Sequence, residues 1–162
     1  MSFRLNEIDA DSTVDTTGTN EQPSHDRVRL RNVRLNCLDN SREVREEVVS
    51  HMDDHEYSSK DIHAVQLALE EALVNAFKHG NSLDPGKCVY VWYMVHEREA
   101  WIRIEDQGPG FAVDAVPDPT LPENCERPCG RGVFMMRHFM DVVQYNQVGN
   151  VCWMYKFRSD QN

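Results

Sequence analysis

The sequence predicts an α+β fold, a two-layer sandwich in which a mixed, mostly antiparallel sheet carries helices on one face. Two patterns carry this prediction. Apolar side chains between residues 58 and 79 recur with a period near 3.6, which indicates an amphipathic helix. Residues 88–96 are aromatic and β-branched, and residues 100–105 alternate in polarity after a short charged turn, which indicates a β-hairpin. With 162 residues, the chain suits one domain rather than two.

A strand and a helix are predicted to open the domain. Residues 27–37 alternate imperfectly between apolar and polar side chains, so we expect a strand with a bulge near Asn32. The polar residues 39–41 are suited to cap a first helix, which ends near His55.

The second helix and the hairpin follow. Ser58 or Ser59 is suited to cap this helix, and Gly80 ends it. Residues 83–86 have the composition of a turn that leads into the hairpin. The second hairpin strand runs directly into a glycine-rich turn.

A long loop separates the hairpin from the last elements. Residues 111–129 contain four prolines and no periodicity, and we expect a lid because long loops inside compact domains are usually functional or mobile. A third helix is predicted over 132–140. Two closing strands, 141–146 and 151–157, flank a turn at 149–150.

The predicted domain covers residues 27–158, after a disordered N-terminal tail of residues 1–26. The tail has few large apolar side chains, so it cannot bury enough surface to offset the entropy lost on ordering. It also carries half of the chain's net charge of −10. The folded part is therefore only mildly acidic.

The charge and hydropathy of the chain argue against two classes of partner. Nucleic acids are bound through lysine and arginine, which an acidic chain does not supply in excess. No apolar run approaches the roughly 20 residues that span a bilayer, and the N-terminus lacks a basic patch followed by an apolar stretch. We expect a cytoplasmic protein that binds neither nucleic acid nor membrane.

The five cysteines are scattered and lack the paired short spacings of a zinc site. Most are expected to be small buried side chains. Cys125 and Cys129, in the proline-rich loop, leave open a second interpretation as metal ligands or a redox pair.

Glu71 and Asn75 lie four residues apart on the second helix and therefore share one face, which Lys78 and His79 continue. Taken alone, these residues are better explained by an ordinary solvated helix face. The uncharged, poorly helix-forming Asn75, close to Gly80, favours a functional face instead.

Two glycine-rich turns follow. Asp106 precedes Gly108 and Gly110 at the end of a strand, where a close turn can receive a flat ring and the carboxylate can accept a hydrogen bond from an amine. A strand end capped by aspartate also explains this turn without any ligand.

The second turn, Gly130 to Gly132, precedes the third helix, whose free N–H groups favour an anion. Arg127 and Arg131 are placed either to contact a terminal phosphate or to remain solvated. A flexible boundary between loop and helix is the alternative interpretation of the glycines.

Taken in order, these three segments resemble the N, G1 and G2 boxes of the Bergerat-fold (GHKL) ATPases, the superfamily of gyrase, Hsp90, histidine kinases and MutL. Residues 68–76 and 139–141 further resemble the anti-sigma factor serine/threonine-protein kinases. The resemblance covers residues 27–157. It implies a Bergerat ATP-binding fold and an enzyme that uses ATP and Mg²⁺.

The resemblance also implies a function. Proteins of this family phosphorylate a serine of a STAS-domain anti-anti-sigma protein, sequester a sigma factor and form homodimers. The alternative is a nucleotide-gated binding module with little or no turnover. The catalytic domain of a histidine kinase is a third interpretation, which the absence of a helical dimerisation segment upstream of residue 27 disfavours.

The resemblance assigns roles to individual residues. Glu71 is the expected general base, Asn75 the magnesium ligand and Asp106 the acceptor for the adenine amine. The expected nucleotide-binding residues are Asn75, Lys78, His79, Asp106, Gly108, Gly110, Arg127, Gly130, Arg131 and Gly132. Two departures stand out: the final strand lacks a threonine near its start, and the lid carries an unusual sequence at residues 122–129.

Overall fold

A computed structural model describes residues 30–113 and 130–159 of the chain. The predicted tail and most of the predicted lid, including Arg127, Cys125 and Cys129, lie outside these residues. The strands are β1 (Arg31–Leu35), β2 (Val89–Val95), β3 (Glu99–Asp106), β4 (Val142–Tyr145) and β5 (Val151–Phe157). The helices are α1 (Ser41–Asp54), α2 (Ser59–Val74) and α3 (Arg131–Phe139), with a 3-10 turn at Leu38–Asn40 and a π-helical turn at Asn75–Gly80.

The predicted fold class is confirmed. The described strands form one sheet in the order β1-β2-β3-β5-β4, and all four pairings are antiparallel. The central strand is therefore β3. The two predicted hairpins, β2–β3 and β4–β5, are both present, and β5 also pairs with β3 to close the sheet.

The helices cover one face of the sheet, and the core lies between the two layers. Alternate residues of β2 and β3, such as Val91 and Ile102, are buried on this face. On α2, Val65, Leu69 and Leu73 recur at helical spacing and are almost completely buried. Each such side chain contributes about 1.5–3 kcal/mol to folding, which is why the amphipathic pattern alone positions this helix.

The prediction of a bulge near Asn32 is wrong. Strand β1 pairs with β2 in an uninterrupted register from Arg31 opposite Tyr93 to Leu35 opposite Val89. The irregular alternation came from Leu30, which precedes the strand and is 51% exposed. An apolar residue at a strand end does not need a bulge to explain it.

The start of α2 follows the predicted capping chemistry. The Ser58 hydroxyl accepts a hydrogen bond from the Asp61 N–H at 3.1 Å, so Ser58 rather than Ser59 is the N-cap. The helical segment ends at Gly80 as predicted, but its last six residues are π-helical rather than α-helical. None of the helices in the described ranges is both long and apolar enough to cross a membrane.

Candidate functional site

A cavity of about 450 Å³ opens between the end of α2, the π-helical turn, strand β3, the start of α3 and the β4–β5 turn. It brings the three glycine-rich or polar segments of the sequence together. The sequence-predicted residues that line it are Glu71, Asn75, His79, Asp106, Gly110, Gly130 and Gly132. Three further predicted residues, Lys78, Gly108 and Arg131, are not among the lining residues in the described part of the chain.

Glu71 and Asn75 meet the main chain at the start of α3. A Cβ atom added to Gly132 would overlap the Glu71 carboxylate and would lie 3.0 Å from Asn75 Nδ2. Only glycine therefore allows this approach. The carboxylate faces the positive end of the α3 dipole, an arrangement that stabilises an anion. Gly130, the N-cap of α3, has φ 95°, a conformation that side chains other than glycine rarely adopt.

The π-helical turn decides which side chains reach the cavity. The Asn81 N–H donates to the Ala76 carbonyl at 2.8 Å, five residues back, so the turn is wider than an α-helical one. Asn75 and His79 line the cavity, whereas Lys78 does not, although both His79 and Lys78 are exposed. The sequence-based prediction placed Asn75, Lys78 and His79 on one helix face because α-helical spacing was assumed throughout.

Asp106 is buried at the opposite wall of the cavity. Its Oδ1 accepts a hydrogen bond from the Gly108 N–H at 2.8 Å, and the residue is 9% exposed. Burial raises the pKa of its carboxyl, and the Gly108 N–H and the Lys87 charge oppose this shift. A Cβ atom on Gly80 would overlap the same carboxylate, so the end of the π-helical turn packs directly onto Asp106.

Three asparagines that the sequence did not single out hold this wall in place. The fully buried Asn81 donates to the Cys88 carbonyl at 2.9 Å and accepts from the Gln107 N–H at 2.8 Å. Asn150 Nδ2 donates to the Asp106 carbonyl at 3.2 Å, and Asn146 Nδ2 donates to Asn150 Oδ1 at 2.8 Å. The only sequence signal was their position in turns, which does not reveal contacts with a distant strand.

Apolar side chains complete the cavity. Ala72, Ala76, Ile104 and Val133 line its inner surface, and the rings of Phe111 and Tyr145 lie edge to face with centroids 5.3 Å apart. Cys152 also lines the cavity, and burial raises the pKa of its thiol to about 12, so it is protonated at neutral pH. A flat, mostly apolar ring fits such walls, with Asp106 as the polar contact.

The oxygen and nitrogen atoms of the cavity side chains determine which metal ion the site could hold. In the described chain, no cluster of three or more histidine, cysteine, aspartate or glutamate side chains is arranged to hold a metal ion. Magnesium is usually held by one or two protein oxygens together with phosphate oxygens and water, so the carboxamide of Asn75 in this cavity is compatible with such an ion.

This fold and cavity define an ATP-binding domain of the histidine kinase-like class. Residues 36–156 match the family model described as "Histidine kinase-like ATPase domain", and the chain belongs to that family. Membership implies ATP binding.

Individual relatives are named as a serine-protein kinase and as anti-sigma F factors. The chain is 26% identical over 112 residues to "Serine-protein kinase RsbW" of Oceanobacillus iheyensis, covering 65% of this chain and 71% of that protein. It is 29% identical over 110 residues to "Anti-sigma F factor" of Bacillus cytotoxicus, covering 64% and 74%. A third relative, "Anti-sigma F factor" of Geobacillus sp., is 34% identical over 83 residues, covering 49% and 56%.

Proposed function

We propose that this protein is an ATP-dependent serine/threonine kinase of the anti-sigma factor type. It phosphorylates a serine of a STAS-domain anti-anti-sigma protein and sequesters a sigma factor. The observation that carries the proposal is the convergence of Glu71, Asn75 and Asp106 on one cavity that the glycine start of α3 closes. The names of the relatives support the kinase activity and the sigma factor as a partner.

Each of the three polar residues has a separate task in this proposal. Glu71 accepts the proton of the serine hydroxyl, as a general base beside the transferred group. Asn75 holds magnesium through its carboxamide oxygen, and Asp106 accepts a hydrogen bond from the adenine amine. Bound magnesium-ATP supplies the phosphoryl group and the charge neutralisation that its transfer requires.

The remaining predicted residues assist binding. The main-chain N–H groups near Gly130 and Gly132 lie at a helix start and are suited to phosphate oxygens. Gly110 lines the cavity, and Gly108 donates the hydrogen bond that orients Asp106. His79 is in reach of a ligand in the cavity, whereas Lys78, Arg127 and Arg131 are assigned to phosphate by resemblance alone.

The wider setting is also part of the proposal. The catalytic unit is residues 27–158, preceded by an acidic tail, and the protein acts in the cytoplasm as a homodimer. Its partners are the STAS-domain protein and the sigma factor.

A second candidate function is a nucleotide-gated binding module with little turnover. The observation that favours it is the close packing of the Gly132 main chain against the Glu71 carboxylate. This packing restricts the access of a substrate hydroxyl to the proposed base. In this alternative the nucleotide controls the grip on the partner, and proton transfer is not required.

Labelled ATP and candidate STAS-domain proteins test the proposal. The wild type is expected to transfer label to serine, whereas Glu71→Gln binds ATP normally and loses transfer by about two orders of magnitude or more, because the base is removed. The matched control is Glu70→Gln, the adjacent acid, which pairs with Arg45 on the outer surface. Unchanged transfer by Glu71→Gln would contradict the assigned base. ATP binding by the wild type without transfer to any candidate supports the binding module.

A further inference from the structure

Helix α3 carries a large apolar side chain on its outer side. Phe134 is 41% exposed, whereas Val133 and Met136 of the same helix are buried in the core. The Phe134 ring stacks on the ring of His138, one turn later, with the centroids 6.4 Å apart and the planes inclined by 13°. Arg137, three residues after Phe134, is also exposed. We call this surface, formed by Phe134, Arg137 and His138, the α3 face.

The α3 face begins beside the proposed general base. The main chain of Gly132 packs against the Glu71 carboxylate, and Phe134 follows Gly132 by two residues, about 3 Å along the helix axis. Phe134 is not among the described residues that line the cavity. A nucleotide inside the cavity therefore leaves this ring exposed, whereas a protein that brings a hydroxyl group to Glu71 has to cover the start of α3.

Arg137 extends the α3 face toward another wall of the cavity. Burial raises the pKa of the Tyr145 phenol, and the charge of Arg137 opposes this shift, so the guanidinium lies within electrostatic reach of this cavity residue. The Tyr145 ring in turn contacts the ring of Phe111, which is exposed. Exposed apolar and cationic side chains therefore border the cavity on two sides.

The α3 face carries positive charge that the described chain does not neutralise. Helix α3 contains no acidic residue, and neither Arg137 nor His138 forms an ion pair with another described residue. Asp141, the first acid after the helix, pairs with Lys156 and accepts a hydrogen bond from the Phe157 N–H at 2.7 Å. The complement of such a surface is an apolar side chain next to acidic groups.

Two simpler explanations account for only part of this surface. Basic residues in the last turn of a helix interact favourably with its dipole, which explains Arg137 and His138 but not the exposed ring of Phe134. A single exposed apolar residue is ordinary. An exposed phenylalanine beside an arginine, at the entrance to a catalytic site, has instead the composition of the centre of a protein interface.

We propose that the α3 face docks the protein substrate, through an apolar side chain and acidic groups that lie beside its acceptor hydroxyl. The inference rests on the proposed function, because it identifies the surface by which this kinase recognises its substrate. Docking contacts of this kind are the same before and during phosphoryl transfer, so they lower KM and leave kcat unchanged.

The rate of transfer from labelled ATP to the STAS-domain protein tests the α3 face. Phe134→Ala and Arg137→Glu should each raise the KM for that protein at least about tenfold, because each removes a contact at the centre of the interface. Values of kcat and ADP affinity should stay at the wild-type level. Added salt should raise the wild-type KM but lower that of Arg137→Glu, because salt screens attraction in the first case and repulsion in the second.

Matched controls lie at the end of β3 remote from Asp106, where Glu99 pairs with Phe157. Phe157→Ala removes an aromatic ring that is 48% exposed, and Arg98→Glu reverses an exposed charge in the β2–β3 turn. Both variants should keep the wild-type KM. Circular dichroism on the same samples shows that each variant is folded.

The outcomes separate the docking surface from the proposed function. A wild type that binds ATP but labels no candidate contradicts the kinase, and the docking surface with it. Transfer by the wild type together with an unchanged KM in both α3 variants overturns the docking surface alone. A loss of kcat or of ADP binding at unchanged KM also overturns it, because α3 would then support the nucleotide site. A changed sedimentation mass at unchanged KM would assign the face to a second copy of the chain instead.

Discussion

At the scale of single residues, the carboxyl group of Asp106 matters most for the candidate site. It is buried and packs against Gly80 and Gly108. Asp106 accepts a hydrogen bond from an amine most strongly when it is ionised. Its surroundings oppose ionisation, since burial raises its pKa above the ordinary value and the Gly108 N–H compensates only in part. We therefore expect nucleotide binding to depend on pH.

This coupling predicts an acid limit for nucleotide binding. As the pH falls below the raised pKa of Asp106, affinity for ADP should decrease by up to about tenfold per pH unit, because the ligand binds the ionised form more tightly. Calorimetric titrations from neutral to mildly acidic pH measure it. The Asp106→Asn variant should bind ADP weakly at every pH, without the decrease in affinity at acidic pH. The control variant Asp54→Asn, at the exposed end of α1, should behave as wild type. An acid limb that persists in Asp106→Asn would assign it to another group.

Asn150 is predicted to position Asp106. In Asn150→Asp the donor to the Asp106 carbonyl becomes an acceptor, and a second negative charge approaches the carboxyl. ADP affinity should fall roughly tenfold, and the acid limit should move to higher pH. The matched control is Gln147→Glu, which adds the same charge at an exposed position of the same turn. An acid limit that does not move would leave Asn150 with a purely structural role.

At the scale of elements, the π-helical turn links the end of α2 to strand β3, because it packs against Asp106. It turns Asn75 and His79 toward the cavity and seats Gly80 on Asp106. Single π-turns inside helices are rare and recur at functional sites. The turn explains why the proposed metal ligand and the proposed adenine acceptor face the same cavity.

The Gly80→Ala variant tests whether the π-helical turn must pack against Asp106. The added methyl group overlaps the Asp106 carboxylate, so we expect a loss of about 1–3 kcal/mol in the free energy of unfolding and a marked loss of ADP binding. Gly86→Ala, in an exposed turn where the nearest atom is 3.2 Å from the new Cβ, should change neither. Thermal unfolding and calorimetry report the two effects, and normal binding by Gly80→Ala would show that the turn is not held against Asp106.

At the scale of the whole molecule, a buried carboxylate ties the end of the chain to the start of α2. Asp61 accepts hydrogen bonds from the Ser159 N–H at 3.0 Å and from the hydroxyls of Ser159 and Ser58, and Lys156 lies nearby. Burial acts to raise the pKa of Asp61, but these hydrogen bonds and the Lys156 charge outweigh it and lower the pKa. Ionised Asp61 therefore stabilises the fold.

The lowered pKa of Asp61 determines the pH range in which this residue stabilises the fold. Because the folded pKa lies below the unfolded one, the stabilisation is complete above the unfolded pKa and is lost as the pH falls through the folded pKa. Asp61→Asn should lower the free energy of urea unfolding by about 1–3 kcal/mol at neutral pH. The difference from wild type should vanish in strong acid. Glu97→Gln, an exposed acid, is the control, and a deficit that is independent of pH would contradict this origin.

Much of the site followed from local patterns, and the exceptions have two causes. Glu71, Asn75, Asp106 and Gly132 could be found because residue type, spacing and position at an element's end are all properties of neighbouring residues. Lys78 was grouped with them because the spacing rule for an α-helix does not hold in a π-turn. Asn81, Asn146 and Asn150 were missed because their partners are distant in sequence.

The amino-acid order by itself determined the two-layer fold, the approximate places where most elements begin and end, and the three polar or glycine-rich segments that line the cavity. Periodicity and capping act over a few residues, so they survive in the sequence as visible patterns. Only the tertiary structure decided that these segments enclose one cavity and that asparagines hold Asp106. Those facts depend on strand order and register, which arise from packing between residues far apart in the chain.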